Sequence, residues 1–187
     1  ADALRISGKM LAVEHEGVRP DIVILAKALG AGVLPVAAVL ADNRIMDVIE
    51  PGTHGSTFGG NPLACKVATA ALNVVVKEKL VQNSAKMGKV LVVELEKLHA
   101  EYPKLITEIR GRGLFTAIVF TKKALNGAAA SRFMHILKDH GVLAKTTHGN
   151  IIRITPPLTL NAAILKVGVK KISAALKQLN AEVIAAK

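Results

Sequence analysis

One cysteine, Cys65, is all that the 187 residues contain. It can close no internal disulfide and joins no Cys pair, which excludes a disulfide scaffold and a zinc ribbon and makes an intracellular compartment the default. Aromatic residues are almost as scarce, at 3% of the chain, with four Phe, one Tyr and no Trp. A surface that grips single strands of nucleic acid by stacking needs more rings than that. No run of about 18 uncharged apolar residues occurs, so no membrane-spanning helix is expected. Acidic residues thin out along the chain: residues 1–60 hold 7 against 5 Lys/Arg, residues 61–120 hold 5 against 9, and residues 121–187 hold 2 against 11. The net charge of +11 therefore gathers toward the C-terminal end. There Lys166, Lys170, Lys171 and Lys177 recur at helical spacing opposite an apolar stripe, the pattern of a solvated basic face.

What the chain has in quantity is apolar residues, 51% of the total, and they alternate between short β-like runs and longer helical ones. Ile22-Val23-Ile24-Leu25 is a continuous apolar run that suits a strand buried on both faces, and Val36 to Leu40 is a second. Asn61-Pro62 marks a helix start, with Asn as cap, Pro at the first helical position and apolar residues continuing at helical spacing to about Leu80. Gln82 to about Ala100 keeps the same spacing until Tyr102-Pro103 stops it. Ile109 to Phe120, interrupted by Gly111 and Gly113, reads as a bent or paired strand. Residues 128–139 read as helix, Val142 to Lys145 and Ile151 to Thr155 as strands, and Asn161 to about Ala181 as a final helix. The fold class is α/β, with a boundary near residue 100 between a larger α/β part and a small α+β part.

Three segments carry chemistry. Lys27 lies between Ile22-Val23-Ile24-Leu25-Ala26 and Ala28-Leu29-Gly30-Ala31-Gly32, an almost uncharged neighbourhood. Desolvation there would favour the neutral amine that attacks a carbonyl to form a Schiff base, whereas the bland alternative is a lysine snorkelling from a strand end to water. His54-Gly55-Ser56-Thr57-Phe58-Gly59-Gly60-Asn61-Pro62 sets small residues and hydroxyls ahead of a helix, an arrangement that can meet a phosphate or serve only as a flexible loop. Arg153 sits in the β-like run Ile151-Ile152-Arg153-Ile154, where a guanidinium needs a carboxylate from the protein or from a substrate. Metal and hydrolase alternatives fail on spacing. His135 and His140 are five apart, and no nucleophile-elbow motif surrounds Ser56.

In combination and order, these segments resemble the pyridoxal-phosphate-dependent class III (omega) aminotransferases from about Lys9 to the C-terminus. The resemblance rests on Leu11-Ala12-Val13-Glu14, Val18-Arg19-Pro20-Asp21-Ile22-Val23, Lys27-Ala28-Leu29, Pro35-Val36, the His54 to Pro62 loop, Arg110-Gly111-Arg112-Gly113-Leu114, Leu143-Ala144-Lys145 and Thr147-His148-Gly149. It implies a fold of PLP-dependent transferase type, with residues 1–100 as the C-terminal part of the cofactor-binding large domain and residues 101–187 as a small α+β domain. It also implies that Lys27 is the catalytic lysine bonded to pyridoxal 5'-phosphate. Ser56 and Thr57 would reach the cofactor phosphate of the neighbouring subunit in a homodimer, and Arg153 would meet a substrate carboxylate.

The segments Leu143 to Lys145 and Thr147 to Arg153 resemble the ornithine-using branch, which implies transfer of the δ-amino group of ornithine to a 2-oxo acid such as 2-oxoglutarate. Transaminases of acetylornithine or 4-aminobutyrate, and a catalytically silent basic fragment that dimerises or binds anions, are the alternatives. Partners implied are small molecules and a second copy, not nucleic acid or membrane, and the compartment is the mitochondrial matrix or the cytoplasm. Against the family motif Gln-Thr-Gly-x-x-Arg-Thr-Gly, this chain has Ile6 in the arginine's place and Arg5 one step before it. The phosphate-cradling loop, the ring-stacking aromatic and the ring-nitrogen aspartate of the family are expected upstream of Ala1, so the 187 residues read as a C-terminal portion.

Overall fold

The computed structural model describes residues 5–186. They divide into two compact units, one holding Arg5 and Lys9–Val81, the other Ile6–Gly8 and the residues from Gln82 onward. In the first unit, strands β1 (Ile22–Leu25) and β2 (Ala38–Ala41) pair antiparallel, Ile22 opposite Ala41 and Leu25 opposite Ala38. A single helical turn, α1 (Asn43–Met46), follows, and then the longer α2 (Pro62–Lys77).

The expectation that the Ile22–Leu25 run is buried on both faces is not met. Ile22 is 50% and Ile24 64% exposed, and on β2 Val39, opposite Ile24, and Leu40, opposite Val23, are exposed too. The reason is architectural: a two-stranded ribbon makes one ladder and brings too little cover to enclose both faces of either strand. Helix α2 begins as the Asn-Pro signal requires. The Asn61 side-chain oxygen accepts the amides of Leu63 at 2.9 Å and Ala64 at 3.1 Å, and Pro62 fills the first helical position. The helix stops at Lys77 rather than near Leu80, because Lys79 turns into the left-handed region at φ 53°. Its buried residues are Ala68 and Val75, and it packs against the 3-10 turn Lys27–Gly30, whose Leu29 is buried.

The second unit takes α3 (Leu80–Glu101) from Gln82 on, then the hairpin β3 (Ile106–Arg112) and β4 (Phe115–Phe120), helix α4 (Ala129–Asp139), strands β5 (Lys145–Thr147) and β6 (Ile151–Ile154), and helix α5 (Ala162–Ala185). Its sheet runs in the order β3-β4-β6-β5, all antiparallel. Met87, Leu91, Leu95 and Leu98 of α3, Ile109, Ile118 and Ile152 of the sheet, Phe133 and Ile136 of α4, and Leu165, Ile172 and Leu176 of α5 share one core. Phe120 and Phe133 meet edge to face, centroids 5.2 Å apart. The division between the two units falls at residues 81/82 because the apolar face of α3 belongs to the core that follows it.

Two glycines allow the tightest approach in this unit. A Cβ on Gly88 of α3 would lie 2.1 Å from the Gly113 carbonyl oxygen, and Gly113 itself turns the hairpin at φ 57° with the Ile6 carbonyl close by. Ser84 completes the joint. Its hydroxyl donates to the Ile6 carbonyl at 2.6 Å and accepts the Leu114 amide at 3.1 Å, so a fully buried polar group is satisfied on both sides. The predicted strand Val142 to Lys145 starts later, at Lys145. Gly141, at φ 75°, and Val142 donate back to the carbonyls of Lys138 and Leu137, so both residues are spent closing the C-terminus of α4.

Candidate active site

Lys27 directly follows the end of β1. Ala26 is extended, Lys27 enters the left-handed region at φ 55°, and the 3-10 turn it opens ends on Ala31, left-handed again at φ 52°. Two non-glycine residues held this way cost about 1 kcal/mol or more each, and such positions persist where the surroundings over-determine them. The turn is tied by Leu29 N–H to the Ala26 carbonyl at 3.1 Å and Ala31 N–H to the Ala28 carbonyl at 3.1 Å. Lys27 is exposed, so the dry neighbourhood expected for its amine is not built by this unit. The apolar residues that precede it in sequence alternate outward along β1.

The loop 54–60 leads into α2, the helix that packs on the Lys27 turn. All seven of its residues are exposed. Ser56 Oγ accepts the Gly59 amide at 3.0 Å, which closes the loop and leaves the hydroxyl proton to donate elsewhere. The first amides of α2 are taken by Asn61, so they are not the donors that an anion would find here. The hydroxyl groups of this loop are those of Ser56 and Thr57, both exposed. An amine that can condense with an aldehyde, and hydroxyls of a type that can meet a phosphate, are the side-chain chemistries pyridoxal phosphate calls for, and Lys27, Ser56 and Thr57 all lie in the first unit.

Arg153 belongs to the second unit. It is half-buried on β6, its guanidinium carbon 5.6 Å from the centroid of the Phe115 ring. Among the described residues no carboxylate pairs with it. The contact it does make is with the face of the Phe115 ring, a cation–π arrangement.

Two features escaped the sequence reading. The register sets Arg153 beside Lys145 on one strand and Ala117 on the other, with Arg110 next to Ala117, so three cations share one row across the sheet. Only sheet register reveals this. The second is Arg5, 6% exposed, left-handed at φ 72°, its guanidinium donating to the Ala28 carbonyl in the Lys27 turn. Burial holds its pKa below the ordinary arginine value. The sequence signal was the arginine displaced by one position from the family motif.

Comparison with known proteins identifies the family. The Aminotransferase class-III family model matches residues 4–176. Ornithine aminotransferase, mitochondrial, of Arabidopsis thaliana is 54% identical over 162 residues, which are 87% of this chain and 34% of that protein. Ornithine aminotransferase of Saccharomyces cerevisiae is 47% identical over 169 residues, 89% of this chain and 40% of the relative. Among solved structures, acetylornithine aminotransferase from Elizabethkingia anophelis has a TM-score of 0.88 at 50% identity, covering 94% of this chain and 45% of that one. An ornithine aminotransferase from Toxoplasma gondii has a TM-score of 0.87 at 39% identity, covering 97% and 42%. The chain thus spans less than half the length of the relatives it matches. Its matched extent and the identities above establish that it belongs to the class III aminotransferases.

Proposed function

We propose that the chain is part of a pyridoxal-phosphate-dependent aminotransferase that moves the δ-amino group of ornithine to a 2-oxo acid such as 2-oxoglutarate, giving glutamate semialdehyde and glutamate. The observation that carries this reading is the junction of β1 with the Lys27 turn, on which α2 packs while the Ser56-Thr57 loop leads into that same helix. Identity of 54% to a plant ornithine aminotransferase supports the substrate.

In this reading Lys27 would hold the cofactor through its aldehyde, and Ser56 and Thr57 would donate hydrogen bonds to the phosphate of the cofactor bound in the neighbouring subunit. When bound, pyridoxal phosphate supplies an exchangeable aldehyde and a ring that takes up the electron pair released beside the migrating nitrogen. The freed Lys27 amine removes a proton from the substrate carbon bearing the δ-nitrogen, acting as general base, and later returns a proton as general acid. Arg153, whose guanidinium lies over the Phe115 ring, meets a substrate carboxylate. Residues 1–100 form part of a cofactor-binding large domain and residues 101–187 a small domain. The protein works as a homodimer whose protomers share sites, in the mitochondrial matrix or the cytoplasm.

The test uses the full-length protein. Mixed with pyridoxal phosphate it should develop a visible Schiff-base absorbance, and borohydride should fix the cofactor on the peptide containing Lys27. Lys27→Ala should abolish both and lower turnover by at least about 1,000-fold. A wild-type protein that traps no cofactor ends the reading. A second substrate assignment has its own support, since the acetylornithine aminotransferase neighbour is 50% identical. Comparing kcat/KM for ornithine, acetylornithine and 4-aminobutyrate decides between them.

A further inference from the structure

We propose that Arg5 is the positioning residue for Lys27, fixing the turn from which the amine is presented. The inference rests on the reading of Lys27 as the cofactor lysine, but its geometry stands within the first unit. The Ala28 carbonyl receives two donors, the Ala31 amide at 3.1 Å and the Arg5 guanidinium. Both lone pairs of that oxygen are thereby used, and the peptide plane one residue beyond Lys27 is held from two directions. Arg5 is itself anchored, since its amide donates to the Met10 carbonyl at 2.9 Å and its side chain is 6% exposed.

A buried cation is a poor way to gain stability, because its desolvation offsets most of what its hydrogen bonds return. What a guanidinium adds over an apolar side chain of similar volume is direction, through donors in a rigid plane. Here that direction acts on a turn whose first residue, Lys27, and following residue, Ala31, both occupy the left-handed region. Arg5 acts through the backbone of Ala28 and not on a ligand, which is why it is a positioning residue.

The experiment uses the full-length protein and two variants, Arg5→Met and Arg5→Lys. In the cofactor-free form, hydrogen exchange of the Leu29 and Ala31 amides should speed up about tenfold in Arg5→Met, with the core amides of the second unit unchanged. The rate at which borohydride fixes pyridoxal phosphate on Lys27, per folded molecule, should fall by a similar factor, and Arg5→Lys should recover most of both losses. Wild-type exchange and trapping in Arg5→Met overturn the proposal, and so does a loss of protection spread evenly over α2. Should Arg5→Met fail to fold, the ranking Arg above Lys above Gln at this position in trapping rate supports the proposal, and no ranking overturns it. A wild type that traps no cofactor removes the aminotransferase reading instead, and the exchange arm then decides the coupling of Arg5 to the turn alone.

Discussion

The two compact units of this chain solve the problem of burial differently. In the second, Leu95, Ile118, Ile152, Phe120, Phe133 and Leu176 are wholly enclosed, and a four-stranded sheet is closed by helices from both sequence directions. In the first, two strands pair only with each other, Ile24, Val39, Phe58 and Leu63 face outward, and three non-glycine residues near the candidate site lie in the left-handed region. One unit is organised around its own core. The other carries the candidate site and leaves much of its apolar surface exposed.

Glycine substitutions should separate the units most sharply. Gly88→Ala puts a methyl 2.1 Å from a backbone carbonyl with no flexible neighbour to yield, so it should cost at least about 3 kcal/mol or prevent folding. Gly32→Ala meets nothing within 4 Å and suffers only from its φ of +79°, about 1 kcal/mol. Urea titration of both variants checks this, and equal losses would erase the contrast. Leucines give the next step. Leu95→Ala, from a fully enclosed position, should lose about 3 kcal/mol, while Leu63→Ala, 65% exposed, should stay within about 0.5 kcal/mol. A large loss at Leu63 would mean that the face of α2 it occupies is covered in solution.

What the sequence made legible follows the same divide. The Asn-Pro cap of α2, the Tyr102-Pro103 stop after α3, the Asn161 start of α5 and the glycine-bent hairpin at 111–113 are local signals, and local signals survive whatever the surroundings do. Burial is not local. The run Ile22–Leu25 has the composition of an interior strand, but burial depends on which other surfaces reach it, and none of that is written in four residues. Lys27 was legible as a candidate from the apolar residues beside it, yet its left-handed backbone was not, because only glycine and asparagine advertise that conformation in sequence. Arg5 and the row of Arg110, Arg153 and Lys145 depend on contacts between distant segments and on sheet register, which a single sequence does not encode in any readable period.

The smallest effect concerns ion pairs, and it too differs between the units. Arg132 on α4 donates through Nε and Nη2 to both oxygens of Glu182 on α5 at 2.6 Å, and this hydrogen bonding holds the Glu182 carboxyl below the ordinary glutamate range. A carboxyl depressed in the folded state adds stability that is complete above its unfolded value and disappears as pH falls through the folded one. Glu182→Gln should therefore lower the melting temperature slightly at neutral pH, the difference should vanish on acidification, and high salt should shrink it because the pair is open to solvent. In the first unit, Arg44 and Asp21 are 2.8 Å apart with both side chains 71% exposed, joined by a single contact. Asp21→Asn should shift the melt less than Glu182→Gln does. The two-point fork across α4 and α5 restrains helices already packed on a shared core, whereas the Arg44 contact joins groups that water solvates nearly as well apart as together.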